Sequence, residues 1–387
     1  MDNVDSLLQR MVQFDTVNTG ISGRADAEKQ LADWLDQTAQ NWGFETRRFS
    51  MGGADQTVNM PDLIPATEQL LITCRANANA PWILFDSHMD TVATDGMTID
   101  PFAGEIRNEK LYGRGSCDTK GTGAAMLWAL YEYARDDDRP NNVALLFSVD
   151  EELTMTGIRS FIRHDLPTLG FEPSAVIVGE PTMHQPVIAH NGLVRWNVTT
   201  RGVAAHSAAP YLGRSAISMM SRIIEAIESN YIAKLDAEDQ LTGRAVCVIT
   251  KIHGGTQVNI VPDHCEIDID RRLVPGESAD IETEKLRDLV TGIDPDCELQ
   301  TTRLAPPLDA ASSTDFLPIV QAAIDGAKPI GAPFATHAGD LCLAGLPVLV
   351  IGPGDPRMAH TKDEWVSLVE IRKGVDIYQR IMQSQFC

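Results

Sequence analysis

Acids and histidines recur at a few sharply defined places in this chain. His88 and Asp90 lie in SHMDTV, Asp118 in the glycine-rich YGRGSCDTKGTG, and Asp150, Glu151 and Glu152 form an unbroken acidic run. Glu180 follows in GEPT, and His360 in MAHTKDEW. Two histidines with three or four carboxylates form a donor set suited to a pair of divalent ions of the zinc class. A carboxylate such as Asp118 can bridge two ions about 3.5–4 Å apart, the spacing two-metal hydrolases use. His88 and Asp90, two apart at a strand end, share a face, so Asp90 can hold the His88 ring from behind. Glu151 and Glu152 are adjacent and must point to different places. One can then ligate metal while the other takes a proton from water. A single acid is usually just solvated, but three in a row after an apolar strand repel one another unless something positive compensates them.

The elements that must position these residues read as an α/β pattern. PWILFDSH (81–88), NNVALLFSVDEE (141–152), SAVIVGEPT (174–182) and LPVLVIGPG (346–354) each contain a short apolar run. Such runs are buried parallel strands covered by helices. Helical spacing marks residues 2–15 and 26–42, with further helices over 121–135 and 156–164. Each of the four strands delivers a metal-ligand type at or beyond its carboxyl end, where an open α/β sheet places its site. From 191 to 303 the pattern changes to β-α-β-β-α-β, a ferredoxin-like two-layer arrangement. The chain is therefore expected to form an α/β catalytic domain with a mostly parallel central sheet from residues 1–190 and 304–387. An α+β domain, residues 191–303, is inserted into it.

Composition narrows the function. Of 387 residues, 54 are acidic and 32 basic, a net charge of −22; such a chain repels phosphate backbones and anionic lipid, so neither nucleic acid nor a membrane is expected as partner. No apolar run approaches the roughly 20 residues of a membrane helix. The opening residues lack a basic stretch followed by an apolar one, and the reading is cytoplasmic. The seven cysteines (Cys74, Cys117, Cys247, Cys265, Cys297, Cys342 and Cys387) are scattered without a C-x-x-C pair, which fits reduced thiols and not a disulfide or cysteine–zinc framework. GRGSCDTKG matches neither nucleotide-binding glycine motif, and no G-x-S-x-G or H-E-x-x-H occurs. His164 and His184 read as surface positions; His190, His253 and His264 stay open.

Taken together, SHMDTV, LYGRGSCDTKG, VDEE, GEPT, GVAAHSAAP, HGGTQVNIVPDHCEIDIDRRLVPG and GPGDPRMAHTKDEW resemble the M20 family of co-catalytic zinc amidohydrolases and peptidases over nearly the whole chain. Within it the motifs look most like acetylornithine deacetylase and succinyl-diaminopimelate desuccinylase, leaning to the former. The resemblance implies two zinc ions per chain, with cobalt or manganese able to substitute. His88 and Glu180 would hold one, Glu152 and His360 the other, and Asp118, followed by a cis peptide, would bridge them. It further implies Asp90 as the group orienting His88 and Glu151 as general base and later acid. His206 would reach across a homodimer, formed through the inserted domain, to the scissile carbonyl oxygen. Asn259 and Arg272 would meet the substrate, with Arg271 as the register alternative. The implied reaction is removal of an acyl group from the nitrogen of an N-acyl amino acid, with the desuccinylase, a dipeptidase or carboxypeptidase, and a non-catalytic binding paralogue as alternatives. Thr119 stands where the nearest relatives carry Met, and Cys117 sits beside Asp118. FATHAGDLC (334–342) departs further, because His337 and Asp340 are unlike the acetylornithine pattern.

Overall fold

The computed structural model describes residues 1–50 and 67–386, so Cys387 lies outside the described residues. The chain divides into two compact bodies. The first comprises Met1–Ile188, Ala310–Ile330 and Thr336–Cys387; the second comprises Ala189–Asp309 and Gly331–Ala335.

Four strands form the heart of the first body: β1 (Trp82–His88), β2 (Asn142–Ser148), β3 (Pro173–Val178) and β4 (Val348–Val350). They lie in the order β2-β1-β3-β4 and are mutually parallel. Every residue of β1 and β2 is buried, which is why they read as unbroken apolar runs. Antiparallel pairing extends this parallel core on both sides: Glu68–Cys74 pairs with β2, Glu45–Ser50 pairs in turn with Glu68–Cys74, and Val187 pairs with Val350 of β4. The chain leaves β1 toward β2 on one side and then returns to β3 on the other. Connections that diverge around β1 open a crevice at its carboxyl end, where such sheets place ligands.

Helix α1 (Lys120–Tyr133) covers one face of β1. At Gly123 a Cβ would lie 2.8 Å from Phe147 and 2.9 Å from the Ser87 hydroxyl, so only glycine lets the helix approach this closely. Residues alternate across a strand, so Asp86 and His88 face away from α1. On that side lies the short helix α2 (His337–Leu343), whose His337 meets Asp86. The last helix, α3 (Leu368–Gln383), packs on α1 through its apolar face, which includes Ile371, Val375 and Tyr378.

In the second body, Gly192–Arg201, Val246–Gly254, His264–Leu273 and Glu298–Ala305 form an antiparallel sheet, with Gly192–Arg201 and His264–Leu273 at its centre. Helices Ala216–Ala226 and Ala279–Ile293 bury Met220, Ile223 and Leu286 against Trp196, Ile267 and Ile269. This is the β-α-β-β-α-β order of a ferredoxin-like layer pair. Among the described residues no helix is long and apolar enough to cross a membrane.

Candidate metal centre

The carboxyl end of β1 gathers the donors. His88, the last residue of β1, points its Nε2 to Asp118 Oδ1 at 3.3 Å and to Glu180 Oε1 at 3.9 Å. The other oxygen of Asp118 lies 3.1 Å from His360 Nε2, which is also 3.1 Å from Glu152. Asp118 thus stands between a His88–Glu180 pair and a His360–Glu152 pair. One ligand atom each from His88, Asp118 and Glu152 falls within 4.8 Å of the others. Asp118 and Thr119 are joined by a cis peptide.

Asp90 holds the frame. His88 Nδ1 lies 2.9 Å from the Asp90 carbonyl and 3.5 Å from its carboxylate, which fixes the ring and leaves Nε2 for the site. The same carboxylate accepts the backbone N–H groups of Glu151 and Glu152, both at 3.1 Å, and the Asn18 amide at 2.8 Å. Asp150, in the left-handed region at φ 62°, turns the chain just before the two glutamates. Its own carboxylate accepts from Asn18 and from the Thr156 N–H and stays out of the cluster. Glu151 is buried, and among the described residues no hydrogen bond ties down its carboxylate.

Crowding sets the electrostatics. Burial, reinforced by the Asp118 charge, pushes the Glu152 carboxyl up to about 8 and Glu180 well above the ordinary range. Burial also raises Glu151, against the pull of His88 and His337. Asp118 goes the other way: burial would raise it, but hydrogen bonds from His360 and His88 hold it below the usual carboxylate range. The bonds that His360 makes to Asp118 and Glu152 in turn lift it to about 11. Four acids balanced by two histidines form a set that needs added positive charge, and carboxylate oxygens with imidazole nitrogens are the ligands divalent ions of the zinc class take. The residues present fit such ions.

A family model described as peptidase family M20/M25/M40 matches residues 84–384. The chain belongs to peptidase family M20. An acetylornithine deacetylase of Aliivibrio salmonicida is 31% identical over 314 residues, 78% of this chain and 80% of that protein. A solved M20 metallo-carboxypeptidase of Sulfolobus solfataricus superposes with a TM-score of 0.78 at 16% identity, covering 99% of both chains. A dinuclear metal-binding M20 peptidase of Bacillus subtilis gives a TM-score of 0.68 at 14% identity, covering 98% of this chain and 97% of that one. The relatives are hydrolytic enzymes, and so is the class of this M20 chain.

The remaining expected residues of this M20 protein lie in its second body. His206 is exposed in a two-residue strand paired with Ile260–Val261, and Ser207 donates to the Asn259 carbonyl at 2.9 Å, so His206 and Asn259 sit on neighbouring loops. Arg271 and Arg272 face opposite sides of their strand. Arg271 is fully buried among Tyr231, Glu277 and Glu282, whereas Arg272 is half-buried and paired with Asp270 at 2.8 Å. Of the two, only Arg272 presents its guanidinium away from the core.

Other residues depart from the expectations of the sequence or give no sign of themselves in it. His184, expected at the surface, is buried and lies 3.0 Å from Glu370. Met183 and His184 both take left-handed φ, 52° and 58°, which tucks the ring under α3 where Gly374 leaves room. His164 is exposed, as expected, and His190 is buried. Asn18 and Asp86 attach to the site although no chemical role was expected of them, and Glu364 and His337, which lie within MAHTKDEW and FATHAGDLC, attach to it in roles those motifs did not announce. His337 Nδ1 lies 2.9 Å from Asp86, and its ring stands 6.5 Å from that of His88.

Proposed function

We propose that this chain is a two-metal amidohydrolase that removes the acyl group from an N-acyl amino acid, with acetylornithine-like substrates favoured. The observation that carries the reading is the division of labour at the end of β1. Four donors, His88, Glu152, Glu180 and His360, gather around Asp118, while Glu151 beside them keeps its carboxylate uncommitted. The proposed ligands are His88, Asp118, Glu152, Glu180 and His360, and the proposed ions are two Zn2+, with Co2+ or Mn2+ able to stand in. Such ions, when bound, polarise the amide carbonyl and make water acidic enough to attack near neutral pH.

The chain's own residues do the rest. Glu151 takes the proton from the water that attacks the amide carbon and delivers it to the leaving amine, the two-way role of a positioned carboxylate. Asp90 keeps the His88 ring oriented and, through the Glu151 N–H, aims the base. His206 is assigned to donate to the developing oxyanion, with Asn259 and Arg272 binding the substrate and the Arg272 fork suited to its α-carboxylate.

The relative's name supports a deacetylase over a peptidase, since the sequence likeness is closer there than to the solved peptidases. We also assign the chain to a homodimer built on the second body. Its edge strand Val246–Gly254 exposes Val246, Val248 and Ile252, and Tyr211 and Leu212 stand out nearby in sequence from His206.

The test is amine release by zinc-loaded and chelator-treated protein from N-acetylornithine, N-succinyl-diaminopimelate, other N-acyl amino acids and dipeptides. Metal-dependent release from the acetyl compound is expected. Release only from dipeptides would overturn the substrate assignment, and failure to bind any divalent ion would overturn the metal centre.

A further inference from the structure

The loop that carries Asp118 and the loop that carries His360 are fastened together by one buried side chain. Glu364, four residues after His360, is completely buried. One of its carboxylate oxygens accepts the backbone N–H groups of Cys117 at 2.9 Å and Asp118 at 3.0 Å. The other accepts the Gly115 N–H at 3.1 Å and the Arg114 guanidinium at 2.6 Å. The Glu364 carbonyl also accepts the Gly113 N–H at 3.0 Å, just where Trp365–Ser367 begins to pair with Lys110–Tyr112. Arg114 carries the connection further. Its Nε donates to the Ala93 carbonyl at 3.1 Å, in the segment after His88 and Asp90.

We propose that Glu364, with Arg114, is a positioning residue that presets the distance between Asp118 and His360 and ties both to the segment after β1. The proposal rests on the two-metal reading above. Its physical basis is that carboxylate–N–H bonds are charge-assisted and that four of them converge on a single buried group. A side chain needed only to fill space would not meet four donors. Asp118 has to face His88 with one oxygen and His360 with the other, at 3.3 and 3.1 Å. The backbone N–H of Asp118 itself is among the groups Glu364 holds. Gly115, at φ 81°, gives the loop the turn that aims its N–H at the same carboxylate, and a Cβ there would lie 2.7 Å from Thr91.

The experiment compares wild type, Glu364→Gln and the milder Arg114→Lys in zinc affinity, by competition with a chelating dye, and in the visible spectrum of the cobalt(II)-loaded protein, alongside kcat, KM and thermal unfolding. An amide in place of the carboxylate keeps the shape but turns an NH2 group toward N–H donors. Glu364→Gln is expected to weaken zinc binding 10- to 100-fold, the usual effect of removing a group that orients ligands, to shift the cobalt spectrum, and to lower kcat more than it changes KM. Arg114→Lys is expected to show the same changes at smaller size. Variants that unfold at lower temperature yet keep wild-type zinc affinity and an unchanged cobalt spectrum would overturn the proposal, leaving Glu364 a purely structural group. Wild-type protein that binds no zinc would instead overturn the two-metal reading.

Discussion

Each body buries a cluster of acids, and the two clusters are neutralised in different ways. In the second body Arg271 supplies a fixed cation: its guanidinium lies 2.5 Å from Glu277 and 3.2 Å from the Tyr231 hydroxyl, while Glu282 takes Tyr231 at 2.7 Å and Lys285 at 2.6 Å. Every charge there has a permanent partner. In the first body only histidines pair with Asp118, Glu152 and Glu180 among the described residues. Imidazoles can surrender their protons and become metal ligands, whereas an arginine cannot. Closed pairing makes architecture. Acids faced by groups that can lose their charge leave a place for a mobile cation.

The largest effect expected from this contrast comes from the uncommitted acid. Glu151→Gln should lower kcat by about 10²- to 10⁴-fold, the range a positioned acid–base contributes, with zinc content unchanged. Loss of zinc together with activity would make Glu151 a ligand and remove it as the base. The closed cluster should behave in the opposite way. Arg271→Met leaves buried carboxylates without their cation and should destabilise the second body by about 3–5 kcal/mol, as read by denaturant unfolding, with zinc affinity unaltered. A variant of unchanged stability would show that Tyr231 and Lys285 suffice to hold Glu282, and the Val274 N–H to hold Glu277.

The same contrast explains how far the chain can be read before folding. Much of the candidate site is legible because buried parallel strands leave an unmistakable apolar run, and the residues just past the end of each run lie at the site. Asp90, Asp118, Glu152 and Glu180 all stand just beyond such a run or in the turn that opens α1. Asp150 stands equally well placed, but its left-handed backbone diverts it to Asn18 and Thr156, and no spacing rule reveals a φ. Arg271 and Arg272 can be told apart only once the phase of their strand is known. Glu364 lies 250 residues from Arg114, and Asp86 lies 251 from His337. Pairings at that separation are made by topology and leave no local pattern.

Glu28 supplies a third case, an acid buried with neither cation nor histidine. Its carboxylate accepts from the hydroxyls of Thr67 at 3.1 Å and Thr19 at 3.4 Å. Burial, with Asp90 nearby, pushes it from an ordinary 4.5 up to about 8. Between those values the folded chain keeps a proton that the unfolded chain releases. Stability from this group is therefore fully present below pH 4.5 and is lost as pH rises to 8, at about 1.4 kcal/mol per pH unit inside the window. Glu28→Gln should flatten that slope in the difference between the two unfolding curves and be the more stable protein at pH 8. A parallel pair of curves across pH 5–8 would mean that Glu28 is ionised in the fold.

The smallest effect separates architecture from positioning by making the same edit in both bodies. Ser215 caps Ala216–Ala226 by accepting the Ser218 N–H at 3.2 Å, and Thr336 caps α2 by accepting the Ala338 N–H at 3.1 Å. Removing either hydroxyl should cost about 1 kcal/mol. The consequences for turnover should differ. His337 is the first residue of α2, and its ring sits against Asp86, two residues before His88, within electrostatic reach of Glu151. Loosening that turn frees the ring that pairs with Asp86 within electrostatic reach of Glu151, whereas the Ser215 hydroxyl serves its own helix start. Thr336→Ala should therefore lower kcat by a few-fold beyond anything Ser215→Ala does at matched stability. Equal kcat in the two variants would place the Asp86–His337 pair with the closed, architectural kind of neutralisation that the second body uses for Arg271.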